Sequence, residues 1–248
     1  MLAAGAAEAF VGDMESREDA VNAMQGVEAV VFICNTANPH EDAIGAQLIE
    51  VAKEMGGTTF VYHSVLHSLL SEMPHHMRKR EVERTLVDSG IPYVILQPAP
   101  FMQMLAPAIA SVKAGGPIVQ KFFSTNGTRM SFVDMNDYAE AAVEAITSDE
   151  YLYGTYELCG EGAYSLPDLE RIVSEISGRE VHSAFIGDSD FLRNAHLDPD
   201  SYQAQTLLAM FRHYNASDFR GNALVLSRIL GREPKTLHEF LDEAFREG

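Results

Sequence analysis

Along the first hundred residues, short apolar runs alternate with stretches whose apolar residues recur every three or four positions. Ala29–Ile33 (AVVFI) is unbroken, short and rich in β-branched residues, as a strand covered on both faces requires. Thr58–Ser64 (TTFVYHS) and Tyr93–Gln97 (YVILQ) repeat the pattern, and Pro98 and Pro100 stop the second of them. Glu8–Gly12 (EAFVG) predicts an earlier strand that ends at Asp13. Helices are predicted between these runs. Ser16–Gln25 has a capping serine, early acids and Ala20, Val21 and Met24 on one face. Ile44, Leu48, Val51 and Met55 mark the next helix, stopped by Gly56-Gly57. His75–Ser89 forms a third, closed by Gly90. Strands alternating with helices in this order imply an α/β protein with a Rossmann-like parallel sheet and helices on both faces.

The second half is less regular. Phe101–Lys113 predicts a helix interrupted by Pro107, and Ile118–Phe123 a strand, with a turn at Asn126-Gly127. Asn136–Ser148 is an Ala-rich helix capped by Asp134 or Asn136, and Thr155–Leu158 a further strand. Ser165 caps a helix that carries Pro167 and early acids and runs to Gly178. From Asp190 onward the pattern is mostly helical, and Thr236 caps the last helix, Thr236–Phe245. The expected organisation is a Rossmann-like domain over 1–160, with 101–130 contributing to a cleft, and a small, mostly helical lobe over 161–248.

Composition narrows the function. With 46% hydrophobic and 22% charged residues in 248, the chain can bury a sizeable core. Eighteen Lys and Arg against 36 Asp and Glu give a net charge of −18. That balance argues against gripping nucleic acid or anionic lipid, both of which need clustered cations. Two cysteines, Cys34 and Cys159, without a CxxC pair point to a reducing cytoplasm. No apolar run approaches the roughly 18–20 residues of a membrane span, and the opening Met-Leu-Ala-Ala-Gly lacks the basic start of a secretory signal.

Parallel sheets of this kind bind ligands beyond the carboxyl ends of their strands. The first candidates are therefore Asp13-Met14, Cys34-Asn35-Thr36, Ser64 to His67 and Pro98 to Met102. Asp13 can accept from an adenine amino group, or simply close a turn; Asn35 can hold a ribose or nicotinamide edge. His75 and Lys79 project from one helix face. Their H-x-x-x-K spacing matches the Y-x-x-x-K of short-chain dehydrogenases, in which lysine binds the nicotinamide ribose and tyrosine is the acid. The plainer alternative is a solvated basic face through Met77-Arg78-Lys79-Arg80. His63, His67, His75 and His76 cluster in sequence, but i and i+4 on a strand do not converge, so no metal site is expected. Gly160-Glu-Gly162 lacks a third glycine and predicts a turn. Cys34 is expected as a small buried residue, and Met102 and Met104 as packing.

Five segments together resemble the NmrA-like family of atypical short-chain dehydrogenase/reductases. They are GDMESREDAVNAMQGVEAVVFI (12–33), HSVLHSLLSEMPHHMRKREVERTLVDSGIPYVILQPAPFMQ (63–103), SFVDMNDYAEAAVEAI (131–146), GTYELCGEGAYSLPDLERIVSEISGREV (154–181) and LGREPKTLHEFLDE (230–243). The resemblance implies an NAD(P)-binding Rossmann domain with a C-terminal lobe closing over a small apolar or aromatic substrate. It implies reduction of a carbonyl or quinone, with Asp13 and Met14 at the adenine and Asn35 lining the cofactor groove. Lys79 would meet the nicotinamide ribose, His75 would stand in the tyrosine's place, Ser64 would lie near the family's serine, and Phe101 would flank the nicotinamide.

One departure is large. The family opens with a strand, a G-x-x-G-x-x-G phosphate loop, a helix and a second strand, a unit of roughly 30–45 residues. The match begins after that unit, at about Leu2. The family's first strand would pair with 29–33, so its absence is expected to expose that edge. Three explanations compete: an N-terminally shortened reading frame, placed first; inward movement of 8–12 to pair with 29–33; or completion of the sheet by a second chain. In the last two, dinucleotide affinity is expected to be weak or lost. The rival functions are a non-catalytic regulator that senses a dinucleotide or binds a protein partner, and a cofactor-independent lyase or isomerase. A homo-oligomer is also compatible with the sequence.

Overall fold

The apolar runs become adjacent parallel strands in a computed structural model that describes residues 3, 5–121 and 127–246. Strands β1 (Ala29–Phe32), β2 (Thr59–His63) and β3 (Tyr93–Pro98) pair in that order, and β5 (Gly154–Leu158) joins beyond β3. Alternation along the strands divides the core in two. Phe32, Phe60, Tyr62 and Ile95 pack beneath helices α2 (Glu41–Met55) and α3 (Pro74–Ser89). Val61, Val94 and Leu96 face the other way, towards α5 (Met135–Thr147) and the C-terminal elements.

Local signals set the helix ends. Ser16 accepts from the Asp19 amide at the start of α1 (Arg17–Met24). Gly90 closes α3 in the left-handed region at φ 77°. Pro107 does not interrupt a helix: a 3₁₀ turn over Met102–Leu105 ends and α4 (Ala106–Lys113) begins there, with the proline in its first turn. Asp134 caps α5, and Ser165 with Asp168 forms a reciprocal capping box on α6 (Leu166–Ser177). Helix α2 has a glycine at its closest approach to α3. A Cβ on Gly45 would lie 2.7 Å from a Val82 methyl.

Beyond the main sheet, β4 (Ile118–Gln120) pairs in parallel with β6 (Ser183–Phe185), a three-residue strand too short for the hydrophobic pattern to predict. The strand stops before Lys121, and Phe122 and Phe123 of the predicted strand, with Asn126 of the turn signal, lie outside the described residues. Helices α7 (Asp188–Asn194), α8 (Tyr202–Ala216), α9 (Leu224–Leu230) and α10 (Leu237–Arg246) complete the chain. Their apolar faces, including Phe211, Leu226 and Leu241, join those of β3, α4 and α6 in one continuous core.

One expectation fails. Glu8–Gly12 forms no strand: Phe10 is exposed, Val11 is 96% exposed, and no ladder partner reaches either. A single strand without a partner leaves its backbone groups to water and gains nothing over coil. The inward pairing of 8–12 with 29–33 therefore does not form. Strand β1 is an edge among the described residues, with Val31 and Ile33 on the surface, Ile33 at 55% exposure. Beside it runs an open, largely apolar groove of about 470 Å³, lined by Phe10, Asp13, Met14, Met24, Val31 and Ile33.

Candidate functional site

The carboxyl ends of β1, β2 and β3 bring together a buried polar group and an aromatic one. The polar group centres on Lys79 from α3 and Glu41 from the first turn of α2. Both are buried, at 5% and 0% exposure, and Lys79 Nζ lies 2.7 Å from Glu41 Oε1. The same carboxylate oxygen accepts from Tyr62 OH at 2.8 Å, while Lys79 also donates to the His63 carbonyl at 3.2 Å. Glu41 Oε2 is buried with no hydrogen-bond partner. His75 and Lys79 do share a face, as their spacing predicts, but that face is buried rather than a solvated basic surface. Arg78, on the outer side, pairs with Asp42 across to α2.

The aromatic group consists of His63, Phe101 and Tyr138. His63 ends β2; its ring lies nearly parallel to Phe101, 6.0 Å away and 20° apart, and edge-on to Tyr138 at 5.1 Å. Tyr138 OH is 2.5 Å from His63 Nδ1. Burial, with Lys79 nearby, pushes the His63 pKa down to about 4, and burial raises that of Tyr138. Neither Tyr138 nor His63 was singled out for this chemistry from sequence. Tyr138 sits in an Ala-rich helix whose apolar stripe reads as core, and no local pattern links it to a residue 75 positions earlier.

The remaining sequence candidates are placed as follows. Ser64 donates to Glu83, which also accepts from Ser68 at 2.8 Å and Gln97 at 2.7 Å, so its proton is committed to a network between α3 and β3. His75 is buried against His76, ring centres 4.5 Å apart, and its Nδ1 has no partner. Desolvation first, then His76 and Lys79, push the His75 pKa down to about 3, so its ring is neutral at physiological pH. His76 donates from Nδ1 to the His67 carbonyl at 2.8 Å, and both rings pack edge-on to Phe219, just after α8. His67 Nε2 reaches the Arg220 carbonyl at 2.6 Å. These two histidines thus tie the Phe219–Arg220 segment to the chain around α3. Among the described residues, no group of three His, Cys, Asp or Glu side chains is placed to hold a metal ion.

Asp13 and Met14 border the groove beside β1; the Asp13 carboxylate accepts from the Glu15 amide, and Gln47 donates to the Met14 carbonyl. Asn35 is exposed just beyond β1. Cys34 is buried, and desolvation with Glu41 nearby pushes its thiol up to about 11, which removes thiolate chemistry at neutral pH. Met102 is core, whereas Met104 is partly exposed. Gly160 and Gly162 lie in the loop after β5, either side of a bend at Glu161, with Gly162 at φ +81°. No helix among the described residues is long and apolar enough to cross a membrane.

Comparison with known proteins adds context to this geometry. A profile of the NmrA-like family matches residues 1–242. Quinone oxidoreductase 2 of Escherichia coli is 27% identical over 233 residues, covering 90% of this chain and 78% of that protein. The NAD(P)H azoreductase of Xenophilus azovorans is 26% identical over 183 residues, covering 73% of this chain and 62% of the azoreductase. In three dimensions, an E. coli NADPH-dependent quinone oxidoreductase complexed with NADPH superposes with a TM-score of 0.81 at 23% identity, covering 98% of this chain and 86% of that one. The Citrobacter triphenylmethane reductase complexed with NADP(H) gives 0.78 at 21% identity, covering 94% and 82%. At these identities the structural matches establish the fold.

Proposed function

The chain belongs to the NmrA-like family, and on that premise we propose that it is an NAD(P)H-dependent oxidoreductase acting on a small aromatic carbonyl or quinone. The observation that carries this reading is the aromatic group His63, Phe101 and Tyr138, set beside a buried Lys79–Glu41 pair at the carboxyl ends of β2 and β3. Flat apolar substrates stack on such rings, and ligands of parallel sheets bind at that end. The two relatives described above, a quinone oxidoreductase and an azoreductase, carry names that agree with it.

The residues fit a dinucleotide at its two ends. The Asp13 carboxylate, just before α1, is an acceptor suited to an adenine amino group. At the other end, Glu41 Oε2 is a buried acceptor without a donor, and a ribose hydroxyl is the chemical match for it. Lys79, beside it, would donate to the same ribose, with Asn35 just beyond β1 along the cofactor and Phe101 flanking the nicotinamide. When bound, the cofactor supplies a hydride. Glu41, itself held by the Tyr62 hydroxyl, keeps the Lys79 ammonium in place, and Phe101 offers its ring face beside His63.

Titrating the chain with NADPH and NADH tests the proposal. Saturable binding followed by turnover of a quinone or azo-dye panel is expected. No saturable binding at millimolar cofactor overturns it, and binding without turnover makes the chain a dinucleotide sensor instead.

A further inference from the structure

The contact between Tyr138 and His63 fixes more than a position. Tyr138 is buried, and among the described residues its hydroxyl has one hydrogen-bond partner, His63 Nδ1 at 2.5 Å. A phenol has one proton to donate, and a neutral imidazole has one donor nitrogen and one acceptor nitrogen. If Nδ1 carried the ring proton, it would donate to the phenol oxygen and leave the buried phenol proton with no acceptor. A buried donor left without an acceptor pays its full desolvation cost. The satisfied arrangement has Tyr138 donating to a bare Nδ1, which puts the ring proton on Nε2. Among the described residues His63 Nε2 makes no hydrogen bond, and it is not fully buried. The ring presents it from the end of β2, flat against Phe101.

We propose that His63 is a catalytic residue: a neutral imidazole whose Nε2–H donates to the carbonyl or quinone oxygen of the substrate, with Tyr138 as the positioning residue that sets its tautomer. This rests on the reductase reading above and deepens it by naming the group that meets the reacting oxygen. A neutral donor is suited to the task. It stabilises an oxygen that gains negative charge as hydride arrives at the substrate, and a fixed hydrogen bond there needs no reorganisation. The overall conversion balances as quinone + NAD(P)H + H⁺ → hydroquinone + NAD(P)⁺. The proton comes from bulk water, so His63 ends each turnover as it began. The groups facing the His63 ring are Lys79, which disfavours its protonation, and the uncharged Phe101 and Tyr138.

Two measurements on the full chain test this. Imidazole ¹⁵N spectra at neutral pH, with the His63 signals assigned by their loss in His63→Gln, should show Nε2 protonated and Nδ1 bare. Tyr138→Phe should shift the ring towards the other tautomer. A wild-type ring with its proton on Nδ1, or a doubly protonated ring, overturns the proposal. In turnover, His63→Leu should lower kcat by about 10²–10³-fold, the usual cost of losing one such donor, with little change in KM for NADPH. His63→Gln, whose amide donates from nearly the same place, should recover much of that loss. Activity of His63→Leu within twofold of wild type overturns the catalytic role. If the wild-type chain turns over no quinone, the reductase reading falls and takes the catalytic role with it, and the tautomer is still decided by the spectra alone.

Discussion

Removing the Lys79 charge tests the buried pair directly. Lys79→Met keeps most of the aliphatic stem but takes away the ammonium 2.7 Å from Glu41 Oε1. Glu41 is fully buried, and its remaining partner is the Tyr62 hydroxyl at 2.8 Å. Leaving one member of a buried ion pair uncompensated costs about 3–5 kcal/mol. At about 2–4 °C per kcal/mol for a chain of this size, the melting temperature should fall by about 6–20 °C. Glu41→Leu should cost a similar amount, because it strands the ammonium instead. The double variant Glu41→Leu/Lys79→Met removes both charges; it leaves the Tyr62 hydroxyl without its acceptor, worth about 1–3 kcal/mol, and takes from the His63 carbonyl its longer bond to Lys79. It should therefore be more stable than either single variant. Urea unfolding of the four proteins gives the coupling. Single losses that simply add in the double variant would refute the idea that the two charges are buried and mutually dependent.

Acid should weaken the fold before carboxylates titrate fully. The pKa values of His75 and His76 are pushed down to about 3 and about 4 from an ordinary 6.5, chiefly by desolvation. The unfolded chain binds those protons below about pH 6.5 and the native chain does not, so stability is full above that pH and falls as pH drops towards 4. Each imidazole contributes a slope of about 1.4 kcal/mol per pH unit; urea midpoints unchanged between pH 7.5 and 5 would contradict the burial. Gly45→Ala should destabilise despite the helix propensity of alanine. The added methyl meets Val82 at 2.7 Å, and overpacking of about 1–3 kcal/mol outweighs a propensity gain of about 1 kcal/mol. Val82→Ala in the same chain should relieve that clash, and a Gly45→Ala midpoint above wild type would show that the two helices are not in close contact. Ile33→Lys, at the exposed continuation of β1, should leave the circular dichroism unchanged and lower light scattering on concentration. Equal scattering would mean that this edge does not drive self-association.

The hydrophobic pattern by itself determined the parallel core of this protein. Buried strands must be short, apolar and β-branched, so AVVFI, TTFVYHS and YVILQ announce themselves, and Ser16, Gly90, Asp134 and Ser165 mark helix ends through bonds made within a few residues. The shared face of His75 and Lys79 was equally evident, because helical spacing is local geometry. Where that face pointed was not. Its burial depends on α2 crossing α3 close enough for Glu41 to meet Lys79, a contact 38 residues apart along the chain. The EAFVG segment misled for the matching reason: strand propensity is a property of the segment, but a strand exists only when another lies beside it, and 8–12 has none. Nor could pattern join Tyr138 to His63. A single apolar stripe on α5 carries no record of which residue meets it, and only the folding of that helix onto the ends of β2 and β3 puts a phenol against an imidazole. Local sequence therefore settled which elements form, and tertiary packing decided which of their polar side chains meet.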